Sequence, residues 1–196
     1  MAPETGRRRF LENGALFVAG AASSSLAPNS FHAFASDKSR ESIGAEQRVQ
    51  ELKLTLPPVP KPAATYVPYV RSGNMLYMAG SGPMQENGKY VLGKVGRDLT
   101  VEQGKAAARL TALSMLGAVR TALGSLDQVV QVVKVLGMVN ATPDFTQHSQ
   151  VINGFSDLLV EVFGKKAGTA ARCAVGMGSL PINLSVEIEA IFQIRD

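Results

Sequence analysis

Apolar residues recur along this chain at two spacings, and the switches between them mark out its elements. After Thr100-Val101-Glu102-Gln103, Ala108, Ala112, Met115, Leu116, Val119 and Leu123 follow at helical intervals. The Thr and Gln of that opening form a capping box, and Gly124 supplies a stop. A second stripe contains Val151, Ile152, Phe155, Leu158, Leu159, Val162 and Phe163. Asp144 and Gln147 repeat the capping pattern ahead of it, and Gly164 ends it. Residues 66–70 and 74–79 read as two strands joined at Arg71-Ser72-Gly73, and Asn87-Gly88 signals a further hairpin. Residues 129–139, rich in β-branched side chains, read as a buried strand, with further strands at 172–177 and 185–194. The predicted order is β-β-β-α-β-α-β-β. It describes an α+β domain with a mixed β-sheet and two helices on one face.

The pattern fades toward the N-terminus. Pro57, Pro58, Pro60 and Pro62 exclude a helix or central strand from that stretch, and residues 36–50 are polar, so 36–59 reads as a linker and extended segment before a domain at 60–196. Residues 1–35 have a different grammar. Arg7, Arg8 and Arg9 precede Phe10-Leu11, a weakly apolar stretch follows, and Ala33-Phe34-Ala35 ends it as a small-x-small cleavage site. This is the layout of a secretory signal, and its Arg-Arg-x-Phe-Leu order resembles the twin-arginine export motif. The expected localisation is periplasmic or secreted, in a bacterium. No run approaches the ~18 apolar residues of a membrane span, so no stable membrane anchor is expected.

A charged fraction of 18% with 45% hydrophobic residues argues for a packed body rather than disorder. The leader holds three Arg and two Glu, so its removal takes the net charge from +4 to +3. The remaining charges are scattered, and no nucleic-acid partner is expected. One Cys and two His are too few for a zinc cluster, and no metal site is expected. Because His32 lies in the leader, any histidine mechanism would rest on His148, which reads as a solvated helix residue.

Strand alternation sets Arg172, Ala174 and Gly176 on one face and Cys173, Val175 and Met177 on the other. If the last two strands form an antiparallel hairpin about Ser179-Leu180, Arg172 lies across from Glu187, both on the face away from the helices. An Arg that grips a carboxylate through two parallel hydrogen bonds, beside a Glu that passes protons, is one reading. A cross-strand surface ion pair is the other.

The segment Ala-Ala-Arg-Cys-Ala-Val-Gly-Met-Gly-Ser-Leu-Pro (170–181), followed by Ser-Val-Glu-Ile-Glu-Ala-Ile (185–191), resembles the C-terminal signature of the Rid/YjgF family of reactive-intermediate deaminases. Tyr66-Val67-Pro68, Gly73-Asn74-Met75-Leu76 and Ala79-Gly80 match its first strands, so the resemblance covers roughly residues 60–195. It is closest to a branch marked by Gly-Arg-Asp-Leu-Thr (96–100) and Ile-Asn-Gly-Phe-Ser-Asp-Leu (152–158). The resemblance implies a chorismate-mutase-like fold and a homotrimer with ligand clefts between subunits. It also implies hydrolysis of a small 2-imino acid to a 2-keto acid and ammonia, with no metal or organic cofactor. Arg172 would bind the substrate carboxylate and Glu187 would activate water. Tyr66, the backbone N–H of Gly80 and Asn153 would complete the substrate site. Ala79 stands where deaminating members often carry Ser or Thr. Cys173 lies one place before the family's usual Cys, which by alternation turns it toward the core as a packing residue.

Three functions follow as expectations. The first is an exported imine or enamine deaminase. A non-catalytic trimer that binds a keto or imino acid is the second, and a ribonuclease or translation inhibitor is the third.

Overall fold

Among the described residues the two spacings resolve into three helices and one five-stranded sheet. The computed structural model describes residues 43–62 and 64–196, and the expected export signal at 1–35 lies outside the described residues. In chain order the elements are α1 (Ala45–Glu51), β1 (Tyr69–Ser72), β2 (Met75–Ser81), α2 (Val101–Leu123), β3 (Val129–Asn140), α3 (His148–Gly168), β4 (Ala171–Met177) and β5 (Val186–Ile194). The fold is α+β and chorismate-mutase-like: α2 and α3 pack side by side on one face of a mixed sheet.

The capping box opens α2 as the sequence requires. Thr100 Oγ1 accepts from the Gln103 N–H, and Gln103 Oε1 accepts from the Thr100 N–H. The start of α3 differs from expectation. Asp144 sits in the turn closed by the Phe145 N–H on Thr142 O, and the helix begins only at His148 with no side-chain cap. At Gly164 the helix breaks with φ 78°, then adds a last turn to Gly168. The Asn-Gly turn is present, with the Gln85 N–H on Lys89 O, but the third predicted strand is reduced to the single bridge Met84↔Tyr90.

The strand order is β1-β2-β5-β3-β4. β3 and β4 run parallel because α3 carries the chain between them as a crossover, while every other neighbouring pair is antiparallel. β5 therefore inserts between β2 and β3 instead of forming a hairpin with β4. Burial gives the reason. Val186, Ile188, Ala190, Phe192 and Ile194 of β5 are all buried, whereas β4 is largely exposed and takes the edge. The connection from β4 to β5 crosses the end of β3, where buried Asn140 holds it. Asn140 Nδ2 donates to Asn183 Oδ1 and Leu184 O, both at 3.0 Å, and Lys94 Nζ donates to Asn140 Oδ1 at 2.8 Å.

Part of the expected linker is structured. α1 docks through Glu46, whose carboxylate takes Arg120 Nε and Nη2 at 3.0 and 2.6 Å and the Leu126 N–H at 2.8 Å. Val49 is buried, and Leu54, Leu56 and Val59 pack on the core beyond it. Four prolines prevent regular structure but leave the apolar side chains between them free to dock.

Helices α2 and α3 approach so closely that a Cβ on Gly154 would collide with the Lys105 carbonyl oxygen. Glycine at that position is set by contact, since its backbone is helical. Gly154→Ala is expected to lower the unfolding free energy by about 2–3 kcal/mol despite the better helix propensity of Ala. The effect should appear as a lower urea midpoint with an unchanged m value. An unaltered midpoint would show that the helices separate at no cost.

Candidate functional site

The register sets Arg172 and Glu187 apart. Arg172 pairs with Val135, which pairs with Ala190, while Glu187 pairs with Met138, which pairs with Val175. β3 stands between their strands, and they differ in level by three residues. That amounts to ~10 Å across the sheet and ~10 Å along it. They also lie on opposite faces. The inner residues of β5 are the buried even-numbered ones, so Glu187 points away from the helices. Arg172, by contrast, reaches α3, where its Nη1 donates to Asn153 Oδ1 at 2.9 Å and Ser156 Oγ at 3.0 Å. The expected cross-strand pair therefore does not form within one chain, and the placement of Arg172 away from the helices is corrected.

The same alternation corrects Cys173. Ala174 packs against the core and Gly176 lies beneath the His148 ring, so the helix-facing side of β4 carries Arg172, Ala174 and Gly176. Cys173 is exposed on the outer face, with Lys134 Nζ 3.5 Å from its sulfur. His148 is half-buried rather than solvated. Its ring meets the edge of Phe145 at 5.1 Å between centroids, with an interplanar angle of 89°.

Two half-sites result. The first gathers Glu187 and Gly80. A Cβ on Gly80 would collide with Glu187 Oε1, so the carboxylate lies directly over this backbone. The register between β2 and β5 passes from Met78↔Ala190 to Ser81↔Ile188, which leaves Ala79 and Gly80 against Glu189 alone. Such a bulge takes a residue out of the ladder and redirects its backbone groups. The Ala79 N–H donates to Pro68 O at 2.9 Å, and Tyr66 is exposed in the segment just before β1. Burial raises the pKa of Glu187 above its ordinary value, and the negative charge of Glu189 raises it further. A carboxyl so shifted exchanges a proton more readily near neutrality.

The second half-site is Arg172 with Asn153 and Ser156. The sequence singled out the first two, and Ser156 is new. Its signal was its position three residues after Asn153, which puts both on one side of a helix. Among the described residues Arg172 forms no salt bridge, and its Nε and Nη2 have no hydrogen-bond partner. Also among the described residues, no group of three or more His, Cys, Asp or Glu could hold a metal ion, and no helix is long and apolar enough to cross a membrane.

A family model described as "YjgF/chorismate_mutase-like, putative endoribonuclease" matches residues 46–192. Protein TCP17 of Trypanosoma cruzi is 43% identical over 148 residues, covering 76% of this chain and 92% of that protein. The crystal structure of Atu1372 from Agrobacterium tumefaciens, a protein of unknown function, is 43% identical with a TM-score of 0.70. It matches 82% of this chain and 99% of its own. A "putative endoribonuclease" from Shewanella oneidensis MR-1 is 30% identical with a TM-score of 0.74, over 78% of this chain and all of its own.

The raised pKa of Glu187 links to stability with a definite sign. The native carboxyl keeps its proton to higher pH than the unfolded one, so stability falls as pH rises from the ordinary Glu range through the native value. Glu187→Gln is expected to raise the unfolding free energy at neutral pH and to leave it unchanged in acid, where both forms are neutral. Denaturant titrations of both proteins across pH check this, and equal stability at neutral pH would contradict it.

Proposed function

Because the chain belongs to the YjgF/chorismate-mutase-like family, we propose that it is an imine deaminase whose site is completed by a second subunit. The observation that carries this reading is the pair of incomplete half-sites. Arg172 offers an uncompensated guanidinium at the β4 edge, while Glu187 offers a proton-exchanging carboxylate over Gly80 on the other face of the sheet. One small ligand cannot reach both within a chain, but it can where the β4 edge of one subunit meets the outer sheet face of another. That face carries exposed Val70, Tyr77, Val175 and Met177, an apolar surface suited to a homotrimer interface.

In such a cleft Arg172 binds the carboxylate of a 2-imino acid. Tyr66 lines the cleft, and the Gly80 N–H donates to the bound ligand. Asn153 holds Arg172. Glu187 takes a proton from water as its oxygen attacks the imine carbon and passes that proton to nitrogen, giving a carbinolamine. It then takes the hydroxyl proton and delivers it to nitrogen as the C–N bond breaks and the carbonyl forms. The products are a 2-keto acid and ammonia. Orientation and a proton relay suffice for this chemistry, because imines are already electrophilic. The leader at 1–35 supports export by the twin-arginine route, so the reaction is placed in the periplasm or outside the cell. Exposed Cys173 is no part of this site.

The test uses a 2-imino acid generated freshly by an amino-acid oxidase. The protein should accelerate keto-acid release, and Arg172→Ala and Glu187→Ala should each lower kcat/KM by about 100-fold or more. Mixing the two inactive variants after mild dissociation should restore part of the activity, because hybrid assemblies contain some intact sites. No acceleration over buffer across several imino acids would refute the deaminase. Keto-acid binding that needs Arg172 but not Glu187 would then favour the non-catalytic binding trimer. RNA cleavage lost in Arg172→Ala would instead support the endoribonuclease description borne by relatives.

A further inference from the structure

The way Arg172 is held limits how it can bind, and this inference rests on the proposed carboxylate site. Three other arginines show what a guanidinium does here when a carboxylate is within reach. Arg120 grips Glu46 through Nε and Nη2 at 3.0 and 2.6 Å, and Arg97 grips Asp98 through the same two atoms, both at 2.9 Å. Arg109 grips Glu161 end-on, through Nη1 and Nη2 at 3.0 and 2.7 Å. Among the described residues Arg172 has neutral acceptors only, and both fall on Nη1. Nη1 has two protons, so Asn153 and Ser156 together use its full donor capacity. The end-on mode is thereby closed. The Nε–Nη2 edge stays open with the full positive charge behind it.

We propose that Ser156 is a positioning residue for the carboxylate site. With Asn153 it pins Nη1 and presents the Nε–Nη2 edge of Arg172 to the substrate carboxylate for a coplanar, two-bond grip. Both acceptors are uncharged and come from successive turns of one helix. They therefore set the rotation of the guanidinium without spending its charge, which an Asp or Glu in their place would do. Helix α3 is itself held against α2 at Gly154, between the two acceptors, so the clamp stands on a rigid support. The segment Ile-Asn-Gly-Phe-Ser-Asp-Leu thus has a physical content: Asn and Ser orient the arginine, and the Gly between them seats the helix.

The full-length protein tests this with 2-oxobutanoate as the binding probe and its imine as the substrate. Ser156→Ala is expected to raise KM and the 2-oxobutanoate Kd about tenfold, with kcat within about twofold of wild type. Ser156→Thr, which keeps the hydroxyl, should recover most of the affinity. Ser156→Asp should abolish 2-oxobutanoate binding while leaving the melting temperature equal or higher, because the new carboxylate occupies the guanidinium. Methyl 2-oxobutanoate, which lacks the free carboxylate, should bind none of the four proteins. Wild-type KM and Kd in Ser156→Ala, with binding lost in Arg172→Ala, would overturn the positioning role and leave the deaminase reading standing. Absence of both binding and turnover in the wild type would overturn both. Should Ser156→Ala fail to fold, retained binding in Ser156→Asp would by itself refute the proposal.

Discussion

The insertion of β5 between β2 and β3 is the constraint on which the rest of the molecule depends. A strand in that position is hydrogen-bonded on both sides and packed under both long helices, so its inward residues must be apolar without interruption. Val186, Ile188, Ala190, Phe192 and Ile194 satisfy this, and each is almost fully buried. The same alternation turns Glu187 and Glu189 to the opposite face, where burial of Glu187 and repulsion from Glu189 raise its pKa. The strand that closes the core thus also holds an acidic pair on the sheet's other surface. β4 is left at the edge, where Arg172 can reach α3 and still present an open side.

Charge is distributed accordingly. Arg97, Arg109 and Arg120 are each neutralised by a carboxylate, and in the case of Arg120 the pairing docks α1 and the loop at Leu126. Such pairs fasten structure at or near the surface, where each contributes modestly. Arg172 has hydrogen bonds that orient it and, among the described residues, no charge that cancels it. In a folded chain that difference separates a cation kept for an external anion from one used as a fastener. The exposed apolar residues of the outer sheet face are the surface that the proposed homotrimer would cover.

Most of the architecture was legible from local pattern. The seven apolar positions of the stripe from Val151 to Phe163 are all buried, and the box at Thr100 caps α2. Other elements escaped. The helix Ala45–Glu51 has only two buried positions and depends on Glu46 reaching Arg120, a contact between residues 74 apart in sequence. Helix α3 starts later than its capping pattern predicts, because a turn at Thr142–Phe145 absorbs the Asp144 signal. Among site residues, Glu187 and Gly80 are brought together, and Asn153 meets Arg172. The pairing of Arg172 with Glu187 failed because strand neighbours in sequence need not be neighbours in a sheet.

The sequence by itself determined the α+β class, the buried stripes of the long helices, the inward and outward residues of β5, and the Arg, Glu, Tyr and Gly types from which a site can be built. These follow from periodicity and side-chain chemistry, which act over a few residues. Tertiary structure alone decided which face of β4 meets a helix, hence the outward turn of Cys173 and the inward turn of Arg172. It also decided the slot taken by β5, and so the division of the candidate site into two halves. The physical reason is that alternation specifies two faces without saying which is buried. That choice is made by long-range packing: small Ala174 and Gly176 accept α3 closely, and the unbroken apolar side of β5 claims the centre of the sheet.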